Sequence, residues 1–79
     1  MNWHDRIVID PRIHHGKPCI KGTRVPVSVI IGSVAEGNSV ERILESWPQL
    51  AAEDIEAALR FAAALAAVAT VVPAYSDAE

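Results

Sequence analysis

Apolar side chains recur along this chain in three rhythms, and each predicts a different element. Residues 6–10, Arg-Ile-Val-Ile-Asp, are β-branched at their centre and stop at Asp10-Pro11, which predicts an edge strand. Residues 16–27 read GKPCIKGTRVPV, where two prolines exclude a helix and Lys21-Gly22 supplies a turn between the extended pieces Cys19-Ile20 and Thr23-Arg24-Val25. A small hairpin or extended arm is expected there, too short to stand without packing on something else. After Pro26 the rhythm turns helical. Val27, Ile30, Ile31, Val34 and Ala35 recur at three and four, and Gly37 follows where helices commonly end in the left-handed conformation, so a first helix is predicted over 27–36. Ser39 as N-cap, Glu41 in the first turn and the stripe Val40, Ile43, Leu44 and Trp47, limited by Pro48, predict a second helix over 40–46. A short link leads to Glu53-Asp54, acids that suit the positive end of a third helix, expected from 52 to 70 and ending before Pro73. The expected fold is a single, mostly α domain over 1–79. Its parts are a short N-terminal β-hairpin or arm (5–27), a trihelical, helix-turn-helix-like bundle (27–70) and a C-terminal tail (71–79).

The third helix carries the most information. At 100° per residue, Ile55, Leu59, Ala62, Ala66 and Ala69 fall in one seam suited to packing on the first two helices. A second seam of Phe61, Leu65, Val68 and Val72 lies about a third of a turn round and has no evident use inside so small a domain. Beyond Arg60 the helix has no charge on any side, and a helix apolar all round is a buried one. The second half of this helix and residues 71–75 are therefore expected to be covered by another chain, with Phe61, Leu65, Val68, Val71, Val72 and Tyr75 at the contact.

Composition strengthens the case for a companion. With 79 residues, 51% of them hydrophobic and 22% charged, the chain suits one globular domain. A domain of this size buries only about 60% of its unfolded surface, and its core supplies ~3–5 kcal/mol of net stability. Cys19 is the sole cysteine, so no intramolecular disulfide adds to this, and self-association as a homodimer is the remaining common remedy. The lone thiol and an N-terminus without a basic start and apolar run lead us to expect a cytoplasmic protein. The longest uncharged stretch, 61–76, is short of the ~20 residues of a membrane span and is interrupted by Pro73.

Net charge is −3, which taken alone argues against nucleic acid. Its distribution says more. Residues 1–26 carry five Lys and Arg against two Asp, a balance of +3, whereas residues 27–79 carry two Arg against eight acids, a balance of −6.

Catalytic chemistry is not expected. His14, His15 and Cys19 invite a metal, but structural zinc wants four spaced ligands and His4 is the only other histidine, so no metal or cofactor is assigned. Gly16-Lys17-Pro18 lacks the other residues of a phosphate-binding loop, and no histidine stands in a recognisable nucleophile motif. Two helices joined by a short turn after a first helix form a helix-turn-helix arrangement. The last helix would begin with Glu53, Asp54 and Glu56, which face phosphates badly, leaving Arg60 and Gln49 as its useful groups. Lys17, Lys21, Thr23 and Arg24 in the arm would supply phosphate contacts, doubled in a two-fold dimer; a solvated hairpin face is the other account of them.

The segments RIVIDP, GKPCIKGTRVPV and EGNSVERILESWPQLAAEDIEAAL together resemble the small bacterial proteins of domain-of-unknown-function family 433, over about residues 5–66. The family pattern falls on Gly16, Lys17, Pro18, Ile20, Gly22, Thr23, Arg24, Pro26 and Val27. In the helical part it falls on Gly37, Ile43, Leu44, Pro48, Leu50, Asp54, Ile55, Ala58 and Leu59. Ala51 stands where a capping Thr or Ser is common in the family, which is expected to weaken the start of the third helix. The resemblance implies a winged or trihelical DNA-binding protein, acting as the antitoxin of a VapBC-type toxin–antitoxin pair. Its implied partners are a PIN-domain-like ribonuclease toxin and operator DNA. A homodimeric protein-interaction module without nucleic-acid binding is the alternative.

Overall fold

The computed structural model of the chain describes residues 2–68. Two short strands, β1 (Ile7–Val8) and β2 (Cys19–Ile20), precede three helices, α1 (Val27–Ala35), α2 (Val40–Ser46) and α3 (Ala52–Val68). Single 3-10 turns occur at Trp3–Asp5 and His14–Gly16. The mostly helical domain with a short N-terminal hairpin is the architecture that the hydrophobic rhythm predicts. The third helix, expected to 70, is described to Val68; residues 69–79, including Val71, Val72 and Tyr75, lie outside the described residues.

The expected hairpin is present, and its two strands come from farther apart in the chain than the local turn implies. Cys19-Ile20, expected to turn back onto Thr23-Arg24-Val25 or to run as an extended arm, has as its partner strand β1, antiparallel, with Ile7 opposite Ile20 and Val8 opposite Cys19. Pairing across this distance buries Ile7 and Ile20 on one face, a gain that a local hairpin of turn residues lacks. The expected turn survives as a tight loop on the other side of β2. Ile20 N–H donates to the Val25 carbonyl (3.0 Å), and Cys19 forms an isolated bridge with Pro26. Thr23 locks this loop: its hydroxyl donates to the Ile20 carbonyl (2.8 Å) and accepts from the Val25 N–H (3.0 Å). Thr23→Val, which keeps the volume and removes both bonds, should lower stability by about 1–2 kcal/mol. Urea unfolding at constant slope is the check.

Helix ends follow local chemistry. α1 starts after Pro26 and closes with Gly37 at φ +94°; Gly37 N–H donates to Val34 (2.9 Å) and Asn38 N–H to Ser33 (3.1 Å), the paired bonds of a Schellman cap. Gly37→Ala should therefore cost about 1 kcal/mol, read as a lower thermal midpoint. Ser39 caps α2 by accepting from Arg42 N–H (3.1 Å).

At α3 the residue at the cap is Ala51, and Asp54 compensates. One carboxylate oxygen of Asp54 accepts from the Ala51 N–H (2.8 Å), the reach-back half of a capping box, and the other accepts from Arg6 Nη1 (2.9 Å). Asp54 is the one buried charged residue among those described, and it ties the segment preceding β1 to the start of α3.

The core gathers Ile20, Ile30, Ile43 and Ile55, all fully buried, between the hairpin and the three helices. The face that α3 turns inward is not quite the expected seam. Ile55 is buried, but Leu59 is 40% exposed, and the inner positions are Ala57, Ala58 and Phe61. The reason lies at the N-terminus, where the turn Trp3–Asp5 packs against α3 and the Trp3 ring meets Phe61 edge-on, 4.8 Å between centroids. α3 thus rotates its aromatic residue into the domain.

Candidate functional site

The stripe that α3 buries through Ala58 and Phe61 continues along the same side of the helix to Leu65 and Val68, which the described residues leave uncovered. Leu65 is 53% and Val68 77% exposed. Beside them α1 and α3 part to leave an open groove of about 560 Å³ lined by Val27, Ser28, Ile31 and Gly32 on one wall and Phe61, Ala62 and Leu65 on the other, with Lys17 and Pro18 also lining it. Apart from Lys17 and Ser28 the lining is apolar, so it lacks the convergent polar groups that orient a small substrate. Gly32 is a helix-interior glycine, and no atom lies within 4 Å of the position a Cβ would take there. The packing among the described residues therefore does not require it, although a helix with Gly in place of Ala forms less readily by about 1 kcal/mol.

Of the six residues expected at a protein contact, Leu65 is exposed and lines this groove, and Val68 is exposed one turn further along α3. Phe61 lines the groove while belonging to the core, and Val71, Val72 and Tyr75 lie outside the described residues.

The cations sort into two groups. Arg6 is bound by Asp54, Arg12 by Asp10 (3.0 Å) and Arg60 by Glu56 (2.9 Å). The Arg12 guanidinium, helped by the Arg12 backbone N–H, holds the Asp10 carboxyl below the usual carboxylate range. Among the described residues Lys17, Lys21, Arg24 and Arg42 have no carboxylate partner. Lys17 directly follows the turn His14–Gly16, and Lys21 and Arg24 stand on the neighbouring turn. Lys17, Lys21 and Arg24 are all exposed, and no Asp or Glu occurs between Asp10 and Glu36, a signal that was present in the sequence.

Of the residues expected to meet DNA, Lys17, Lys21 and Arg24 thus stand free. Thr23 is committed to its own turn, Arg60 to Glu56, and Gln49 is exposed in the link between α2 and α3. The start of α3 is acidic, with Glu53 and Glu56 exposed.

The turn 14–16 holds an arrangement that sequence reasoning missed. His14 (φ +49°), His15 (φ +56°) and Gly16 (φ +87°) are all left-handed in succession. For a residue with a Cβ this costs roughly 1–2 kcal/mol, although histidine adopts it more readily than most. His14 Nε2 donates to the Arg24 carbonyl (2.9 Å), which joins this turn to the Lys21–Arg24 loop. Cys19 is fully buried, its thiol donating to the Lys17 carbonyl (3.4 Å), as a small hydrophobe would be. Among the described residues no three His, Cys, Asp or Glu side chains gather as a metal site would need, and no helix is long and apolar enough to cross a membrane.

These features define a small helical domain with an N-terminal hairpin, an apolar groove left open among the described residues, and exposed cations on and beside two turns. The family model described as Protein of unknown function (DUF433) matches residues 7–62, and the chain belongs to that family. It is 50% identical over 58 residues to the uncharacterized protein y4eO of Sinorhizobium fredii, covering 73% of this chain and 26% of that protein. The chain thus spans about a quarter of that relative's length. The crystal structure of a DUF433 member from Anabaena variabilis superposes with a TM-score of 0.67 at 32% identity, covering 71% of this chain and 55% of that one.

Proposed function

We propose that the chain is a DNA-binding antitoxin. It docks a PIN-like ribonuclease toxin on the α1/α3 groove and the exposed end of α3, and holds operator DNA through its basic turns as a homodimer in the cytoplasm. It acts by binding and not by catalysis. The observation that carries this reading is the groove: an apolar channel continued by Leu65 and Val68 is costly to leave in water and has the makings of a protein contact. The family resemblance and the unpartnered cations Lys17, Lys21 and Arg24 add to it. Co-expression with the product of the neighbouring gene should give a complex that survives purification and relieves growth arrest. No complex and no relief would overturn the proposal.

The second reading, a homodimeric interaction module without nucleic acid, draws on the acidic start of α3, which suits no recognition helix. A gel shift separates the two. Sequence-preferring binding that weakens steeply with added salt supports the antitoxin, and no shift at low salt supports the module.

A further inference from the structure

We infer that the turns His14–Gly16 and 21–24 form one preset platform for the phosphodiester backbone of duplex DNA, with His14 as the positioning residue that clamps them together; this rests on the DNA-binding part of the proposed function. Three independent observations converge on it. The chain from 11 to 35 carries Arg12, Lys17, Lys21 and Arg24 and no acid, and among the described residues only Arg12 of these four is paired with a carboxylate, that of Asp10. Both turns are fixed by internal bonds, Thr23 closing the second and His14 Nε2 crossing to the Arg24 carbonyl at 2.9 Å. The first turn is held in a left-handed conformation at two residues with side chains, strain of the kind that gathers at working surfaces.

Clamping matters because a cation on a free loop loses conformational freedom when it meets a phosphate, whereas one on a locked turn has already lost it. The backbone at Gly22 (φ +82°) has no atom within 4 Å of a would-be Cβ, leaving room for a close approach of a second backbone. Phosphate contacts fix register and carry no sequence code, so the platform positions the protein and leaves base reading to other groups.

The test is fluorescence anisotropy of the full chain with a labelled mixed-sequence duplex from roughly 50 to 200 mM KCl. The double variant Lys21→Ala/Arg24→Ala should lower the slope of log affinity against log salt by about 1.8 per chain, near 0.9 for each lost contact. His14→Ala should weaken binding about five-fold or more, and His14→Gln, whose amide N–H can reach the same carbonyl, should restore most of it. Rescue by Gln would not follow if His14 touched phosphate as a cation. If the unaltered chain binds no duplex, the DNA-binding reading fails and the platform with it. If the unaltered chain binds but the double variant keeps its slope, or His14→Ala keeps full affinity, the platform alone is overturned. Displacement of the labelled duplex by polyglutamate at a far lower charge concentration than by unlabelled duplex would also overturn it, assigning the surface to an acidic protein.

Discussion

Leu65→Asp should abolish capture of the partner, weakening it by at least a hundred-fold, while leaving the isolated domain folded. The two halves of this expectation have separate physical grounds. In the free domain Leu65 is 53% exposed, so a carboxylate there keeps most of its hydration, and surface substitutions of this kind change stability by about 0.5 kcal/mol. In a complex that fills the α1/α3 groove, the same carboxylate would be enclosed between Phe61, Ile31 and the partner with no cation to meet it except Lys17. Burial of an unpaired charge costs several kcal/mol, and a hundred-fold loss corresponds to about 2.8 kcal/mol. Leu65→Ala, which removes packing but adds no charge, should fall between. The check is calorimetric titration of each variant with the purified partner, beside a thermal melt. Unchanged affinity for Leu65→Asp would place the partner elsewhere.

Asp54→Ala should be the most damaging polar substitution for the fold, lowering stability by about 2–3 kcal/mol. One side chain closes the start of α3 on the Ala51 N–H and holds Arg6, so its removal opens two bonds and strands a guanidinium that is only 39% exposed. In a domain of this size such a loss should lower the melting temperature by roughly 10–20 °C. Asp54→Asn keeps an oxygen for the Ala51 N–H and gives up only the ionic partner, so it should lose about half as much. Arg6→Ala should be milder than Asp54→Ala and strongly non-additive with it, since each variant removes the same ion pair. Additive losses in the double-mutant cycle would mean that the pair contributes little and the cap carries the effect.

The helices were legible because their signals are local. Gly37 after the apolar run of α1, Ser39 before α2 and Pro48 after it act within a few residues of where they stand. What escaped sequence reasoning depends on partners far along the chain. Ile7 finds Ile20 and Arg6 finds Asp54, 48 residues away, and neither choice leaves a periodicity to follow. The inner face of α3 was misjudged for the same reason. A helical wheel treats Leu59 and Phe61 as equivalent apolar candidates, and the Trp3 ring, supplied from the other end of the chain, selects Phe61.

The surface features divide along the same line. The second half of α3 was read from its lack of charge as more than so small a core can cover; among the described residues Leu65 and Val68 are exposed, whereas Phe61 belongs to the core. Lys17, Lys21 and Arg24 were visible as a basic cluster, but the contribution of His14 was not, because it depends on a hydrogen bond to a backbone carbonyl. Thr23 and Arg60 were plausible phosphate ligands by residue type, and their side chains are engaged by Ile20, Val25 and Glu56.

Solution mass across a dilution series, for the chain alone and mixed with the product of the neighbouring gene, is the most direct measurement of whether the groove and the end of α3 are sheathed by another polypeptide. The expected result is a species heavier than one chain, most stable in the mixture and lost in the Leu65→Asp variant. A single species with the mass of one chain at every concentration, with or without that gene product, would contradict it.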